Sequence, residues 1–300
     1  MSKKEQNAGP GARDLSRRNF LKTGSMATLF GLSGAVEIKA APAVHAGRRA
    51  DEPVRAALIG FGQWGREIAA TMARIPEFKL LAVVDSYDVM LKRAQRSVPD
   101  ATTHTDYREV LDNPDVQAVF VATPTHLHKD IALAALQAGK HVYVEKPMAN
   151  TIAECDLMVR AARRYDRVVQ VGQQQRSGKH WQDVVAFVRS GRLGKLRQVR
   201  MWANFAYAAG QPAVPDVPVP PGVDYDLWLG PAPERPFNPN RFGVFPRVFS
   251  HFRWFWDYAG GMMTDWGVHH IDIVHMAMNV DAPQVVNAVG GKFVLADNRE

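Results

Sequence analysis

The sequence has little cysteine and lacks a long apolar run. Cys155 is the one cysteine among 300 residues, which excludes a disulfide-stabilised scaffold and a cysteine-rich zinc module. No uncharged apolar run reaches the roughly 20 residues that a membrane-spanning helix needs, so we expect no stable membrane span.

The chain also has little net charge outside its N-terminus. Residues 1–46 hold seven of the 37 Lys and Arg and three of the 30 Asp and Glu, so the formal charge of +7 falls to +3 elsewhere. This remainder gives no electrostatic reason to expect a nucleic-acid partner. A hydrophobic fraction of 46% and a charged fraction of 22% are typical of a globular protein. The length predicts two domains.

The N-terminus is typical of an export signal. Residues 16–22 (Ser-Arg-Arg-Asn-Phe-Leu-Lys) precede 14 uncharged residues, 23–36, and small residues suited to cleavage follow at 41–43 and 44–46. The string resembles a twin-arginine signal, which predicts the twin-arginine export machinery as a partner and a periplasmic or other extracytoplasmic location. A basic amphipathic surface helix is the alternative interpretation.

A glycine-rich loop follows a short apolar strand predicted at 54–59 and leads into a helix. Gly60 suits a tight turn, Gly62 lets the backbone approach a pyrophosphate, and Gly65 allows close packing of helix on strand. The N-terminus of that helix favours phosphate groups. The spacing therefore predicts a dinucleotide site.

The strand predicted at 79–84 ends at Asp85. A carboxylate there accepts hydrogen bonds from ribose hydroxyls and repels a 2′-phosphate, so NAD is favoured over NADP. Capping of the next helix is an alternative role for Asp85.

Further strands are predicted at 118–121, 141–144 and 168–171. Helical patterns alternate with these strands at 107–111, after residue 128 up to 138, and at 151–165. This alternation predicts an α/β fold with a doubly wound parallel sheet, a Rossmann domain. Ligands of such sheets bind beyond the carboxyl ends of the strands. The loops expected at that edge contain residues 60–65, 85, 123–128, 145–146 and 173–176.

Three motifs complete a family pattern. They are Ala122-Thr123-Pro124 with His128, residues 139–147 (Gly-Lys-His-Val-Tyr-Val-Glu-Lys-Pro), and Asp265 with His269. With the glycine loop, they resemble the glucose–fructose oxidoreductase / inositol 2-dehydrogenase (Gfo/Idh/MocA) family over most of 53–295. Segments 225–231 and 254–270 resemble its exported bacterial branch. The resemblance implies an NAD-dependent oxidoreductase that acts on a secondary alcohol of a sugar or cyclic polyol.

The resemblance and the loop positions together predict the contacts with NAD and substrate. The cofactor contacts are Gly60, Phe61, Gly62, Gln63, Trp64, Gly65, Asp85, Ser86, Thr123, Pro124, His126, His128, Glu145, Lys146 and Gln174. The substrate contacts are Lys146, Arg176, Asp265 and His269.

A helix predicted from about 265 to 278 carries the chemistry of the second half. At 100° per residue, Asp265, His269 and Asp272 share one narrow face. They could form an acid/base pair with its orienting carboxylate, a divalent-metal site or a structural polar network. The family resemblance favours catalysis without a metal. It implies that His269 accepts the hydroxyl proton, Lys146 polarises the reacting oxygen and Asp265 orients His269.

Three functions remain open at this point. The first is net oxidation with a tightly held NAD, which an exported enzyme requires because free NAD is scarce outside the cytoplasm. The second is a glycoside hydrolase or lyase in which NAD oxidises and then re-reduces the same sugar. The third is a non-catalytic cofactor-sensing protein, which the set of Lys146, Asp265 and His269 argues against.

We divide the chain into a signal peptide (1–46), a Rossmann domain (47–172) and a substrate domain (173–300). The last is expected to be an α+β domain with an open, mostly antiparallel sheet that includes strands at 196–205 and 285–295. Residues 206–246 are expected to be irregular. The sheet would need more strands, so we expect a C-terminally truncated domain, and a homo-oligomer.

Overall fold

The computed structural model describes residues 52–203, 213–243, 251–291 and 293. The predicted signal peptide, residues 1–46, lies outside these ranges. Within them, no helix is both long enough and apolar enough to cross a membrane.

Six parallel strands form one sheet in the first half of the chain. Their order is β3-β2-β1-β4-β5-β6, and every neighbouring pair is parallel. The chain reverses its direction across the sheet at β1, so the sheet is doubly wound and the predicted Rossmann architecture is confirmed. The strands are β1 (Val54–Ile59), β2 (Phe78–Val84), β3 (Thr102–His104), β4 (Ala118–Val121), β5 (His141–Val144) and β6 (Val169–Val171).

Helices alternate with these strands and continue through the second half. In the first half they are α1 (Gln63–Met72), α2 (Asp88–Ser97), α3 (Tyr107–Leu111), α4 (His128–Gln137) and α5 (Ile152–Arg164). In the second half they are α6 (Lys179–Arg189), α7 (Tyr225–Leu229), α8 (Pro239–Phe242) and α9 (Val268–Met278). Single 3-10 turns lie at Thr125–Leu127, Gln174–Ser177 and His251–Trp254, and a π-helical turn at Met263–Gly267 precedes α9.

The central strands are buried on both faces, as a parallel sheet covered by helices requires. Leu58, Val119 and Val144 are fully buried. Local signals also fix the helices: at α5 the Thr151 side chain accepts from the backbone N–H of Glu154, whose carboxylate accepts in return from the N–H of Thr151. The predicted bounds of β1, β4 and β5 coincide with the observed ones, because buried parallel strands are short apolar runs ended by turn residues.

An aromatic cluster holds the second half against the sheet. Trp228, Phe242 and Tyr258 are buried together, and Tyr87 from the turn after β2 packs on them. This packing removes large apolar surfaces from water and brings the second half over the carboxyl edge of the sheet.

The predicted strands of the second half are wrong over the residues that can be compared. Residues 196–203 and 285–291 are irregular. A strand is stabilised by its ladder with a neighbour, and no described segment pairs with either stretch. The predicted irregular region 206–246 contains two short helices, α7 and α8, in its described part. The open antiparallel sheet stays a prediction.

Candidate active site

A cavity of about 1010 Å³ lies at the carboxyl edge of the sheet. The loops after β1, β2, β4 and β5 form one side of it, and the second half closes the other. Thirteen predicted contact residues line it: Gly60, Gly62, Gln63, Trp64, Asp85, Ser86, Thr123, Pro124, Glu145, Lys146, Gln174, Asp265 and His269. The position is the one where doubly wound sheets bind their ligands.

The three glycines of the first loop have different surroundings. Gly60 has a φ of +95°, and a Cβ atom on it would lie 2.7 Å from the carbonyl oxygen of Ala122. A Cβ on Gly65 would lie 2.0 Å from the carbonyl oxygen of Gly60. A Cβ on Gly62 would meet nothing within 4 Å. Gly60 and Gly65 are therefore required by packing, whereas the space at Gly62 is left for a ligand such as a pyrophosphate.

Asp85 ties the glycine loop to the turn after β2. Its Oδ2 accepts from the N–H of Phe61 at 2.7 Å and its Oδ1 from the N–H of Tyr87 at 3.0 Å. Burial raises the pKa of Asp85 to about 6, while these two donors oppose the rise. The carboxylate is thus mostly ionised at neutral pH, beside the cavity where a ribose is expected.

Glu145 is a buried carboxylate that accepts several hydrogen bonds. It accepts from the hydroxyl of Tyr143 at 3.2 Å, from the N–H of Lys146 at 3.1 Å and from the indole N–H of Trp64. Burial raises the pKa of Glu145, and these donors oppose the rise. The Trp64 contact links the glycine loop to the backbone that carries Lys146.

One carboxylate is shared by two cations at the centre of the site. Lys146 Nζ donates to Asp265 Oδ1 at 2.8 Å, and Arg253 Nη1 lies 3.0 Å from Asp265 Oδ2. The side chains of Lys146, Arg253 and Asp265 are 19%, 13% and 8% exposed. Sequence reasoning missed Arg253, because only the tertiary structure brings its 3-10 turn against Asp265.

His269 lies on α9 and lines the same cavity. Burial first, and the charge of Lys146 second, lower the pKa of His269 to about 4. The imidazole is therefore neutral near pH 7 and able to accept a proton. Its Nδ1 is buried and makes no hydrogen bond to a described residue, so the structure shows no bond from Asp265 that would orient the ring through that nitrogen. Asp265 positions Lys146 instead.

The predicted shared face of Asp265, His269 and Asp272 needs a correction. Asp265 lies in the π-helical turn before α9, and the wider turn breaks the 100° spacing. Asp272 accepts from Arg176 Nε at 2.8 Å and from its Nη2 at 2.6 Å. Neither Arg176 nor Asp272 lines the cavity. Arg176 is half-exposed in this ion pair, and its contact with substrate stays a prediction.

Four of the predicted cofactor contacts do not line the cavity either. His128 Nδ1 and Nε2 lie 2.9 Å and 3.0 Å from the carbonyl oxygens of Pro147 and Thr123. His126 Nε2 lies 2.8 Å from the carbonyl oxygen of Trp228. Both histidines are buried, so they hold loops together behind the cavity wall.

Phe61 and Gly65 belong to the packing of the loop. The Phe61 side chain is fully buried in the core beside β1 and β2, and its N–H is bonded to Asp85. Gly65 faces the carbonyl of Gly60. The four residues were predicted from motif position, which does not reveal the direction in which a side chain points.

The sheet, its glycine loop and the acid after β2 define a dinucleotide-binding protein of the Rossmann class. Residues 54–173 match the Gfo/Idh/MocA family description "Oxidoreductase family, NAD-binding Rossmann fold". Residues 180–290 match its "Oxidoreductase family, C-terminal alpha/beta domain". The chain belongs to the Gfo/Idh/MocA oxidoreductase family.

The similar proteins include an inositol dehydrogenase and a glycosyl hydrolase. The chain is 26% identical to a myo-inositol 2-dehydrogenase of Thermotoga maritima over 172 residues, 57% of this chain and 48% of the relative. It is 29% identical to a glycosyl hydrolase family 109 protein of Shewanella baltica over 204 residues, 61% of this chain and 44% of the relative. The chain thus spans about half the length of these relatives.

Among solved structures, a probable dehydrogenase from Thermotoga maritima aligns with a TM-score of 0.52 and 22% identity, over 75% of this chain and 55% of that one. This similarity supports the fold alone.

Proposed function

We propose that this chain binds NAD and oxidises a secondary alcohol of a sugar or cyclic polyol by hydride transfer. One observation carries the proposal: Lys146, held at 2.8 Å by Asp265, and His269 line the same cavity as the glycine loop and Asp85. Membership of an NAD-binding oxidoreductase family supports the same reaction class.

The residues present fit a dinucleotide. Gly62 leaves open space at the start of α1, and the cavity of about 1010 Å³ lies at the upper end of the roughly 300–1,000 Å³ typical of small-molecule sites. Gly62, Trp64, Asp85 and Thr123 would hold NAD. When bound, nicotinamide supplies the hydride acceptor.

His269 and Lys146 have separate roles in removing the hydroxyl proton and stabilising the oxygen. The neutral imidazole of His269 accepts the proton of the substrate hydroxyl. The ammonium of Lys146 donates a hydrogen bond to the oxygen on which negative charge develops. Lys146 and Arg253 are positively charged and Asp265 is negatively charged. The centre therefore carries one excess positive charge while His269 is neutral. This excess stabilises an alkoxide.

A preference for NAD over NADP follows from Asp85. The carboxylate repels a 2′-phosphate when ionised, and its raised pKa means that this repulsion weakens as the pH falls through about 6. Titration of both dinucleotides at pH 7.5 and pH 5.5 tests the preference. A discrimination that is the same at both values would contradict the role of the carboxylate.

We infer that the cofactor dissociates slowly. Segment 222–224 of the second half is bonded to the turn after β2, where Asp88 N–H donates to Gly222 O at 2.8 Å and Asp224 N–H donates to Ser86 O at 2.7 Å. Trp228 and Phe242 line the same cavity. We expect these contacts to slow the exit of a dinucleotide bound beside Ser86. NAD retained by the purified chain through gel filtration supports the inference, and rapid loss contradicts it.

Redox-neutral glycoside cleavage is the second candidate. The observation that favours it is the 204-residue similarity to a glycosyl hydrolase family 109 protein. Transient oxidation of a sugar carbon acidifies the neighbouring C–H bond, which permits elimination of the glycosidic oxygen, and later re-reduction restores the sugar. Slow exchange of NAD suits this cycle because no second redox partner is needed.

One pair of assays separates the candidates. Net oxidation accumulates reduced nicotinamide when the purified chain is given NAD and a panel of cyclic polyols and sugars. Redox-neutral cleavage releases the aryl alcohol from aryl glycosides with no added acceptor and no net change in nicotinamide absorbance. NAD binding with neither activity indicates a non-catalytic cofactor-sensing protein.

We also propose that residues 1–46 direct export by the twin-arginine machinery, supported by residues 16–22, and that the chain forms a homo-oligomer. Cell fractionation tests the location. Light scattering coupled to gel filtration tests the oligomeric state, and a monomeric mass at micromolar concentration would contradict it.

A further inference from the structure

We propose that Arg253 is a positioning residue of the reaction: by holding one oxygen of Asp265, it presents the other oxygen to Lys146. The inference rests on the proposed function, because it assigns Lys146 to the reacting hydroxyl. Arg253 lines the same cavity and contacts Asp265, through which it acts on Lys146.

The geometry fixes the carboxylate from two sides. Arg253 comes from the 3-10 turn His251–Trp254, whereas Lys146 comes from the loop after β5. Their nitrogens lie 3.0 Å and 2.8 Å from different oxygens of Asp265. A carboxylate held at both oxygens has little freedom to rotate, and at 8% exposure it meets little competing water.

Lys146 depends on this arrangement for its direction. A lysine side chain has four flexible carbons and a point charge without a preferred plane. Its Nζ contacts both the carboxylate and the backbone carbonyl of Asp265, at 2.8 Å and 3.2 Å. If Asp265 rotates, the ammonium loses its anchor beside the substrate.

Arg253 also affects the electrostatic environment of His269, because it compensates the negative charge of Asp265. The groups that act on the His269 ring are Lys146 and His270, which lower its pKa, and Asp265 and Asp272, which raise it. Asp272 is itself paired with Arg176 on the neighbouring 3-10 turn.

Loss of the guanidinium leaves the negative charge of Asp265 less compensated. Protonation of His269 then becomes easier, and its titration midpoint rises. A role in packing alone would act through the exposure of His269 and would persist in Arg253→Lys, whereas an effect of charge is restored by that variant.

The experiment compares Arg253→Gln with Arg235→Gln. Arg235 forms an ion pair with Asp257 in the same region, outside the cavity lining and more exposed than Arg253. In Arg253→Gln we expect kcat to fall about 10- to 100-fold by misplacement of Lys146, with NAD affinity unchanged. We also expect the His269 midpoint, followed by NMR and assigned with His269→Gln, to rise. Arg235→Gln changes neither quantity.

A double-mutant cycle keeps the inference testable when Arg253→Gln does not fold. Asp265→Asn removes the carboxylate that the first change leaves uncompensated, so Arg253→Gln is repeated in that background. No further fall of kcat there, relative to Asp265→Asn alone, supports action through Asp265. A further fall of kcat, or a folded Arg253→Gln with the parent's kcat and midpoint, overturns the inference.

The titration needs no substrate. A parent chain without turnover refutes the proposed function, while the His269 midpoints still decide the role of Arg253.

Discussion

The pH dependence of turnover gives a sharp test of His269. With a pKa of about 4, about one His269 ring in a thousand is protonated at pH 7, against about a quarter at an ordinary pKa near 6.5. The proton acceptor is therefore available down to about pH 5. At saturating NAD, we expect kcat/KM for the alcohol to stay level as the pH falls from 7 to about 5 and to drop only towards pH 4.

The two main causes of the low His269 pKa act in the same direction. Burial and the Lys146 charge both disfavour the imidazolium, so the neutral ring persists as the pH falls below 6.5. His269→Ala is expected to bind NAD and to lose roughly 10²–10⁴-fold in rate. Lys146→Met removes the repulsion and should raise the His269 titration midpoint.

Initial rates in constant-ionic-strength buffers, with circular dichroism to confirm folding at each pH, give the measurement. An acidic limb near pH 6.5 would contradict the desolvated environment of His269. A fully active His269→Ala variant would falsify its role as proton acceptor. A divalent-metal mechanism predicts loss of activity with a chelator and recovery on adding the ion, so chelator-insensitive turnover supports the acid/base assignment.

Three further predictions concern the glycine loop after β1, Asp85 and the N-terminus. Gly65→Ala should destabilise the fold by about 1–3 kcal/mol in urea unfolding, because its Cβ would lie 2.0 Å from a backbone oxygen. Gly62→Ala, in open space, should change stability little and weaken NAD binding instead. Asp85→Ala should narrow the preference for NAD over NADP in titrations, and an unchanged ratio would contradict its role. Arg17→Lys with Arg18→Lys should retain the protein in the cytoplasm, as fractionation would reveal.

The local pattern of the sequence predicted most of the Rossmann half, although β3 and the bounds of α2 were not among the predictions. β1, β4 and β5 have the predicted bounds because buried parallel strands are short apolar runs ended by turn residues. Gly60 could be assigned to a tight turn because positive φ strongly favours glycine. Asp85 was placed beside the site because strand ends of one sheet edge lie together.

The second half and the details of the site were decided by the tertiary structure. The contact of Arg253 with Asp265 joins two turns that no periodic pattern connects, and the π-helical turn changes a face that α-helical spacing predicts. His128 shares its motif with cavity residues but bonds two carbonyl groups behind them. Sequence spacing specifies which residues a loop carries. The direction of each side chain, and its partner, depend on packing between segments distant in the chain.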